Sequence, residues 1–360
     1  MPKILRQNAE QLYAEELEAL SQTDDKPKPE GWKLSPWAVV QYIQGVTLSN
    51  GYVISTKYIG SKRLLETAVA TLLTERALLL IGVPGTAKSW LSEHLAAAIS
   101  GQSTLIAQGT AGMGEEHLRY GWNYARLLAE GPSEAALVPS PIMRAMRSGQ
   151  IARVEELTRI PSEVQDALIT ILSEKMLPVP ELEREVQAVK GFNIIATAND
   201  RDRGINELSS ALRRRFNTVV MPLPATVQEE VDIVRLRLDS QQYSMDKQAN
   251  KILQKEIVRL VTIFRELRGG KTIDGKTKLK SPSSTLSSAE AIAVLNQGLS
   301  LSQHFGDGIL QPEDLAASLN GAIIKDQQTD VQVWREYLET VLKERQDWTD
   351  LYRACREVLN

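Results

Sequence analysis

A run of eight residues between an apolar segment and a helical pattern carries the clearest chemistry in this chain. The apolar segment covers 77–81, and the helical pattern covers 90–99. A glycine-bearing turn between a strand and a helix can wrap a phosphate with its backbone N–H groups, where the helix dipole also favours negative charge. The residues of this turn are Gly82, Val83, Pro84, Gly85, Thr86, Ala87, Lys88 and Ser89, followed by Trp90.

Two side chains of this run have the chemistry to act on a nucleotide. We expect Lys88 to reach the β- and γ-phosphates and the Ser89 hydroxyl to be a ligand for Mg²⁺. Ala87 departs from the common pattern, in which a glycine precedes the lysine. The run therefore predicts a site for a nucleoside triphosphate and Mg²⁺.

Two adjacent acids, Glu155 and Glu156, end the predicted strand 151–155. Phosphoryl transfer to water needs one acid near Mg²⁺ and one that polarises the attacking water, and the carboxyl end of a strand beside the phosphate loop suits both. Aspartate is usual at the first position, so Glu155 is one methylene longer than expected. We assign Glu155 to the metal and Glu156 to the water; a solvated turn is the alternative.

Two further motifs lie downstream. Asn199 follows the apolar run 192–198, where its amide can hydrogen-bond the γ-phosphate or the attacking water; an Asx turn with Asp200 is the alternative. The three arginines 213–215 precede a predicted strand. They suit a solvated face, a general anion patch or an arginine finger for a neighbouring subunit's γ-phosphate.

The order of apolar patterns predicts the fold class. Between 77 and 224 strand-like runs alternate with helical ones, which favours a parallel sheet covered by helices on both faces. The predicted strands are 77–82, 103–108, 151–155, 192–198 and 217–222. The predicted helices between them are 89–100, 139–148, 161–175 and 206–214. Beyond 224 only helical patterns follow, at 226–239, 246–268, 288–303, 312–325 and 331–358.

Composition narrows the class of protein. The chain has 360 residues, a net charge of −3 and a pI of about 5.9. It lacks the excess of basic residues that would favour a dedicated nucleic-acid binder. One cysteine excludes an intrachain disulfide, which fits a reducing compartment. The N-terminus lacks the apolar core of a signal peptide, and no apolar run approaches the roughly 18 residues of a membrane span. We therefore predict a cytoplasmic protein with no membrane partner.

These four motifs, in this order, resemble those of the AAA+ ATPases, and most closely the MoxR group, which is related to the magnesium-chelatase ATPase subunit. The resemblance covers about 50–325 and implies a P-loop domain with a five-stranded parallel sheet and helices on both faces, followed by an all-α lid. The implied domains are an N-terminal helical extension and linker (1–50), an AAA+ nucleotide-binding α/β domain (51–224), a helical lid (225–327) and a C-terminal helical segment (328–360).

The resemblance also implies roles for individual residues. ATP and Mg²⁺ would bind between the α/β domain and the lid, with Tyr58 and Ile59 against the adenine. Asn199 would be a sensor of the γ-phosphate. The arginine finger would be Arg215, with Arg214 as second choice. Such a finger implies a homo-oligomeric ring, often a hexamer, in which one subunit completes the site of the next.

Three features concern the lid and the partners. The main lid helix is expected to begin at Ser287 and Glu290, which have capping-box spacing, and no arginine occurs between Arg268 and Arg335. The family's second sensor arginine is therefore assigned to no residue. Two insertions, 110–135 and a hairpin over 176–189, can face partners; surface loops are the simpler interpretation.

For function, the resemblance implies a chaperone-like ATPase that remodels or activates a partner protein. A von Willebrand factor A domain protein and a role in metal insertion are the implied possibilities. Two alternatives stay open: a nucleic-acid-associated motor, which the acidic pI disfavours, and a nucleotide-dependent scaffold that hydrolyses ATP weakly.

Overall fold

The computed structural model describes residues 4–200, 206–239 and 247–359. These residues form two compact units. The first contains the described residues up to Val83 together with Ala87–Met221, and the second contains Pro84–Thr86 together with the described residues from Pro222 onward.

The first unit is of the α/β class. In chain order its elements are α1 (Ala9–Leu12), α2 (Ala14–Thr23), α3 (Pro36–Gln44), β1 (Val46–Thr47), β2 (Val53–Ile54), α4 (Lys62–Leu72), β3 (Ala77–Gly82), α5 (Lys88–Ser100), β4 (Ile106–Gln108), β5 (Tyr120–Trp122), α6 (Tyr124–Glu130), β6 (Leu137–Pro139), α7 (Pro141–Ser148), β7 (Ile151–Glu155), α8 (Ser162–Gln165), α9 (Ala167–Glu174), β8 (Met176–Val179), β9 (Arg184–Gln187), β10 (Asn193–Asn199), α10 (Ser210–Arg213) and β11 (Phe216–Val220).

A five-stranded parallel sheet in the order β11-β3-β10-β7-β4 forms the centre of this unit. Successive side chains of a strand point to opposite faces. On β3, Leu78 and Leu80 accordingly pack with α3, α4 and α5, whereas Ala77 and Leu79 pack with α7, α8 and α9. The predicted parallel sheet with helices on both faces is confirmed.

Several predicted elements have different bounds. The strand predicted over 103–108 is only β4, and the helix predicted over 161–175 is two helices, α8 and α9, that meet at Asp166. In the helix predicted over 206–214, only α10 is helical. The insertion 110–135 contains β5 and α6, and β5 pairs antiparallel with β6 beyond it. The predicted hairpin is confirmed as β8 and β9.

The segment before residue 50 is part of the first unit and packs against its α5 and the residues around Lys57. The Glu93 carboxylate on α5 accepts hydrogen bonds from the Arg6 guanidinium (2.8 Å) and from the Ala9 N–H (3.2 Å). Farther along, the buried Lys57 ammonium forms an ion pair with Glu16 on α2. These contacts attach α1 to the helix that follows the phosphate loop, and α2 to the segment between β2 and α4.

The second unit is all-helical in its described part. Its helices are α11 (Val227–Asp239), α12 (Lys247–Gly269), α13 (Ser288–Phe305), α14 (Pro312–Ile323), α15 (Asp330–Tyr337) and α16 (Thr349–Leu359). Residue 246, where the second of these helices is predicted to begin, lies outside the described residues. The predicted capping box at the start of α13 is confirmed, since Ser287 and Glu290 exchange hydrogen bonds.

The helix predicted over 331–358 is broken into α15 and α16. A π-helical turn (Leu338–Leu342) follows α15, and Arg345 then adopts an extended conformation (φ −91°, ψ 103°). The Arg345 guanidinium forms an ion pair with the buried Glu266 at 2.6 Å and lies over the Trp348 ring. These contacts hold the chain in a turn where periodicity predicted a continuous helix.

Candidate functional site

The phosphate-type loop lies between the end of β3 and the start of α5, as its sequence predicts. Gly85 and Ala87 both have left-handed backbone conformations, with φ of 82° and 63°. Such turns point successive N–H groups inward and form an anion-binding concavity. The conformation also explains why glycine is usual at the Ala87 position, because a Cβ makes the left-handed region less favourable by about 1 kcal/mol.

The Lys88 ammonium lies beneath this loop. Its Nζ donates hydrogen bonds to the carbonyl oxygens of Gly82 (2.8 Å) and Val83 (3.0 Å). These two hydrogen bonds hold the Lys88 ammonium against the first two residues of the loop.

The register of the sheet brings three of the predicted motifs to one edge. Asn199 at the end of β10 pairs with Gly82 at the end of β3, and Glu155 ends the adjacent strand β7. Because all these strands are parallel, their carboxyl ends lie on the same side. The loop, the acidic pair and the sensor-type asparagine are therefore neighbours, although 110 residues separate Lys88 and Asn199 in the chain.

Glu155 is buried and hydrogen-bonded through both carboxylate oxygens. Its Oε2 accepts hydrogen bonds from the hydroxyls of Ser89 and Thr197, each at 2.6 Å. Its Oε1 accepts hydrogen bonds from the Ser92 hydroxyl (2.5 Å) and from the Arg153 guanidinium (2.7 Å). Burial by itself would raise the pKa of Glu155, but Arg153 and the three hydroxyl donors outweigh it and hold that pKa below its usual value.

Arg153, Ser92 and Thr197 were not among the residues predicted to act at the site. The available signal was the arginine itself, because a charged residue within the apolar run of a central strand must find buried partners. Arg153 is 6% exposed and finds them on α5 and on β7.

Glu156 has an unusual backbone and a defined side-chain partner. Its φ of 55° and ψ of 46° lie in the left-handed region, which non-glycine residues occupy mainly at constrained sites. Its N–H donates to the Thr197 hydroxyl (3.1 Å), and its Oε2 accepts from Asn199 Nδ2 (2.9 Å). A Cβ on Gly109 would lie 2.3 Å from the Glu156 carbonyl oxygen, so only glycine fits there.

The segment predicted to contact adenine lies near the start of α5. Trp90 Nε1 donates a 2.8 Å hydrogen bond to the carbonyl oxygen of Lys57, the residue before Tyr58 and Ile59. The Tyr58 N–H in turn donates to the Ile43 carbonyl oxygen at the end of α3 (3.1 Å). Trp90 therefore connects the helix that follows the phosphate loop to this segment.

Arg215 is not among these neighbours. It precedes β11, and its carbonyl oxygen accepts a hydrogen bond from the N–H of Ala77, the first residue of β3. Five residue steps along β3 separate this edge from Gly82, roughly 16 Å at the usual rise of a strand. The Arg215 side chain bonds to Ser173 Oγ (2.5 Å) and to the Ala211 carbonyl oxygen, whereas Arg214 is exposed.

In the second unit, the basic residues near the lid helix have partners of their own. Arg268 forms an ion pair with the buried Glu230 (2.9 Å) and donates to the Leu286 carbonyl oxygen, just before α13. Lys280 forms an exposed ion pair with Glu336 at 3.0 Å. Neither contact gives a reason to assign Arg268 or Lys280 to the nucleotide.

The donors at the sheet edge suit Mg²⁺. The Ser89 hydroxyl and one Glu155 oxygen converge to 2.6 Å, and hard oxygen ligands of this kind are those that Mg²⁺ takes together with phosphates. The left-handed turn and the Lys88 ammonium suit the phosphates themselves.

Comparison with known families defines the class of protein. The family described as "AAA domain (dynein-related subfamily)" matches residues 77–216, which contain the four motifs and four strands of the sheet and end at the first residue of β11. The fold is accordingly that of an AAA+ protein.

The particular family follows from two further matches. The family described as "YehL-like AAA+ ATPase C-terminal domain" matches residues 228–360. The uncharacterized protein YehL of Escherichia coli (strain K12) is 40% identical over 349 residues, which cover 95% of this chain and 94% of YehL. The chain belongs to the YehL-like AAA+ ATPases.

More distant likenesses are weaker. The uncharacterized protein SH1500 of Staphylococcus haemolyticus is 27% identical over 46% of this chain and 62% of its own length. Among solved structures, the Holliday junction branch migration motor RuvB of Thermotoga maritima has a TM-score of 0.45 and 14% identity, over 84% of this chain and 80% of RuvB. Separately, no helix in the described ranges is both long and apolar enough to cross a membrane.

Proposed function

We propose that this protein hydrolyses ATP at the carboxyl edge of its sheet. The observation that carries the proposal is the convergence there of the phosphate loop with Glu155, Glu156 and Asn199. Hydrogen bonds within the protein hold Glu155, Glu156 and Asn199 in place, as preorganised catalysis requires. Family membership supports the same reaction, because the family is one of AAA+ ATPases.

Each side chain has a defined part in this reaction. Lys88 neutralises charge on the β- and γ-phosphates, and Ser89 with Glu155 holds Mg²⁺. The bound metal supplies further neutralisation of phosphate charge. Glu156 accepts a hydrogen bond from the attacking water and orients it, while Asn199 holds the Glu156 carboxylate.

Two substitutions test the reaction. Lys88→Ala should abolish ATP binding, measured with a fluorescent ATP analogue. Glu156→Gln should retain binding and lower phosphate release by about 10²–10⁴-fold, the range of a lost general base. Glu163→Gln, an exposed acid on α8, is the matched control and should behave as the unaltered protein. Equal turnover of Glu156→Gln and the unaltered protein would support the weakly hydrolysing scaffold instead.

We further propose that the active form is a ring in which Arg215 acts on the neighbouring subunit's nucleotide. The position of Arg215 supports this, because it lies at the edge of the sheet away from its own phosphate loop. A finger placed there can complete only a site on another copy. A hexamer is the ring size that the resemblance to the MoxR group favours.

We propose that the energy of ATP hydrolysis is used to remodel or activate a partner protein, as in the MoxR group. The insertion around α6 supports this, since Tyr124 and Leu128 are exposed there on one helix face. The two insertions are also joined, because Tyr120 donates a 2.8 Å hydrogen bond to Glu181. One partner protein can therefore contact both insertions. The specific proposals are a von Willebrand factor A domain protein as the partner and a role in metal insertion.

Two measurements separate this role from that of a nucleic-acid motor. The Glu156→Gln protein should retain a partner protein in the presence of ATP, and Lys88→Ala, which binds no ATP, should not. DNA should leave the ATPase rate unchanged. Strong stimulation by DNA, with no retained protein, would favour the motor.

A further inference from the structure

A buried arginine, Arg153, lies in the central strand β7. All three nitrogens of the Arg153 guanidinium are engaged. Its Nε donates to Ser92 Oγ, and its two terminal nitrogens donate to the carbonyl oxygens of Ser103 and Ser89, each at 3.0 Å. The nitrogen that contacts Ser89 also bonds to Glu155 Oε1 at 2.7 Å. A planar fork bonded in this way has no freedom to turn.

The two oxygens of Glu155 consequently have different surroundings. Oε1 is held by Arg153 and by the Ser92 hydroxyl. Oε2 accepts, among the described residues, from two hydroxyls, those of Thr197 and of Ser89, the proposed Mg²⁺ ligand. One oxygen is thus anchored to a permanent cation, and the other faces the phosphate loop.

We propose that Arg153 and Ser92 are positioning residues that fix Glu155 Oε1, so that a divalent cation bound with the nucleotide meets only Oε2 and Ser89 Oγ. This inference rests on the proposed function. It accounts for the glutamate at a position where aspartate is usual. The extra methylene adds a rotatable bond, and the bonds of Arg153 and Ser92 to Oε1 remove the freedom that this bond would bring.

The charges support the same arrangement. Arg153 and Glu155 together carry no net charge, so Glu155 adds little long-range attraction for a cation. The phosphates must then supply most of that attraction. Glu155 Oε2 then contributes mainly a fixed ligand position, and that position depends on the bonds of Arg153 and Ser92 to Oε1.

Ser92→Ala is the first test, because it removes one of the two donors to Oε1 and the acceptor of Arg153 Nε, and keeps both side chains of the Arg153–Glu155 ion pair. The readout is the dissociation constant of a fluorescent ATP analogue in EDTA divided by that in Mg²⁺. This ratio should fall by about 10-fold, the usual effect of losing a residue that orients a metal ligand. The ratio reports the metal and needs no turnover.

Ser100→Ala is the matched control. Ser100 is also buried on α5, and its hydroxyl accepts a 2.8 Å hydrogen bond from the Ile151 N–H on β7, away from Glu155. Its loss weakens the same helix–strand contact, so it should lower the melting temperature without changing the ratio.

Arg153 is tested by two substitutions. Arg153→Lys keeps a cation but loses the fork, and it should lower the ratio as Ser92→Ala does. Arg153→Leu alone would leave a buried carboxylate without its cation, at a cost of about 3–5 kcal/mol. It is therefore combined with Glu155→Gln. In the Glu155→Gln background neither Arg153→Leu nor Ser92→Ala should lower the ratio further.

Three outcomes would overturn the inference. The first is a Ser92→Ala ratio no lower than that of Ser100→Ala. The second is that Ser92→Ala lowers the ratio as much in the Glu155→Gln background as it does alone. The third is an unaltered protein that binds the analogue equally in EDTA and Mg²⁺. The last would leave ATP binding standing. An unaltered protein that binds no analogue under either condition would instead contradict the proposed function.

Discussion

The side-chain amide of Asn199 donates a 2.9 Å hydrogen bond to Oε2 of Glu156. Asn199 also pairs in register with Gly82, the first residue of the phosphate loop. The residue proposed to sense the γ-phosphate is therefore bonded to the residue proposed to orient the water. This hydrogen bond links the two proposed roles directly.

Asn199→Ala should slow turnover while retaining ATP binding. The Glu156 carboxylate would lose the donor that fixes its direction, and a fall of about 10²-fold is expected for a lost preorganised donor. Phosphate release and analogue binding measure the two effects. Asn217→Ala, on β11, is the control and should keep the original rate. Unchanged turnover in Asn199→Ala would show that the hydrogen bond has no catalytic role.

The position of Arg215 leads to a mixing experiment. Arg215→Ala and Lys88→Ala proteins should each be inactive, since one lacks the finger and the other lacks nucleotide binding. In randomly mixed rings, about a quarter of the sites pair an intact Lys88 with an intact Arg215 from the neighbour, so activity should return to about that level.

Arg214→Ala serves as the control for Arg215, because its exposed side chain precedes the same strand. It should retain most of the ATPase rate. Mixed rings that stay inactive, together with an inactive Arg214→Ala protein, would transfer the finger role to Arg214.

Ala87→Gly should leave the free energy of unfolding unchanged or raise it by up to about 1 kcal/mol, since glycine accepts a φ of 63° without strain. Ala70→Gly, at an exposed position of α4, should instead lower it by about 1 kcal/mol. Urea titrations compare the two. Equal losses would show that the Ala87 backbone is unstrained, and lost ATP binding would show that the alanine itself is needed.

Asp330 makes the stability of the second unit depend on acid pH. Its carboxylate accepts four hydrogen bonds, two from Ser283 and one each from the N–H groups of Lys325 and Asp326. Burial by itself would raise the pKa of Asp330, but these hydrogen bonds outweigh it and lower the pKa from 3.8 to about 2. A lowered pKa stabilises the folded state above the unfolded-state value and loses this effect as pH falls through the folded-state value.

The stabilisation from Asp330 should therefore be complete above about pH 4 and decline towards about pH 2. Asp330→Asn removes the ionisable group, so the gap in unfolding free energy between it and the unaltered protein should narrow across this range. Urea titrations at several pH values measure the gap. A constant gap would mean that Asp330 acts through packing rather than through its charge.

Much of the α/β unit could be predicted, for an identifiable reason. The strands β3, β7 and β10 are buried on both faces, so their apolar runs stand out in the sequence. Helix α6 and the break before α16 were missed. The first is exposed to solvent, and the second depends on Arg345 reaching Glu266, 79 positions earlier in the chain.

Local patterns alone were enough to propose Gly82–Ser89, the acidic pair and Asn199, because a glycine-bearing turn and strand-terminal polar residues are encoded by neighbouring residues. Their meeting at one edge follows from parallel pairing and was predictable once that pairing was assumed. The surroundings of Glu155 were decided by the tertiary structure. Ser92 and Thr197 reach it from α5 and from β10, 63 and 42 positions away. Contacts between elements so far apart in the chain depend on how helix and sheet pack, which no run of adjacent residues records.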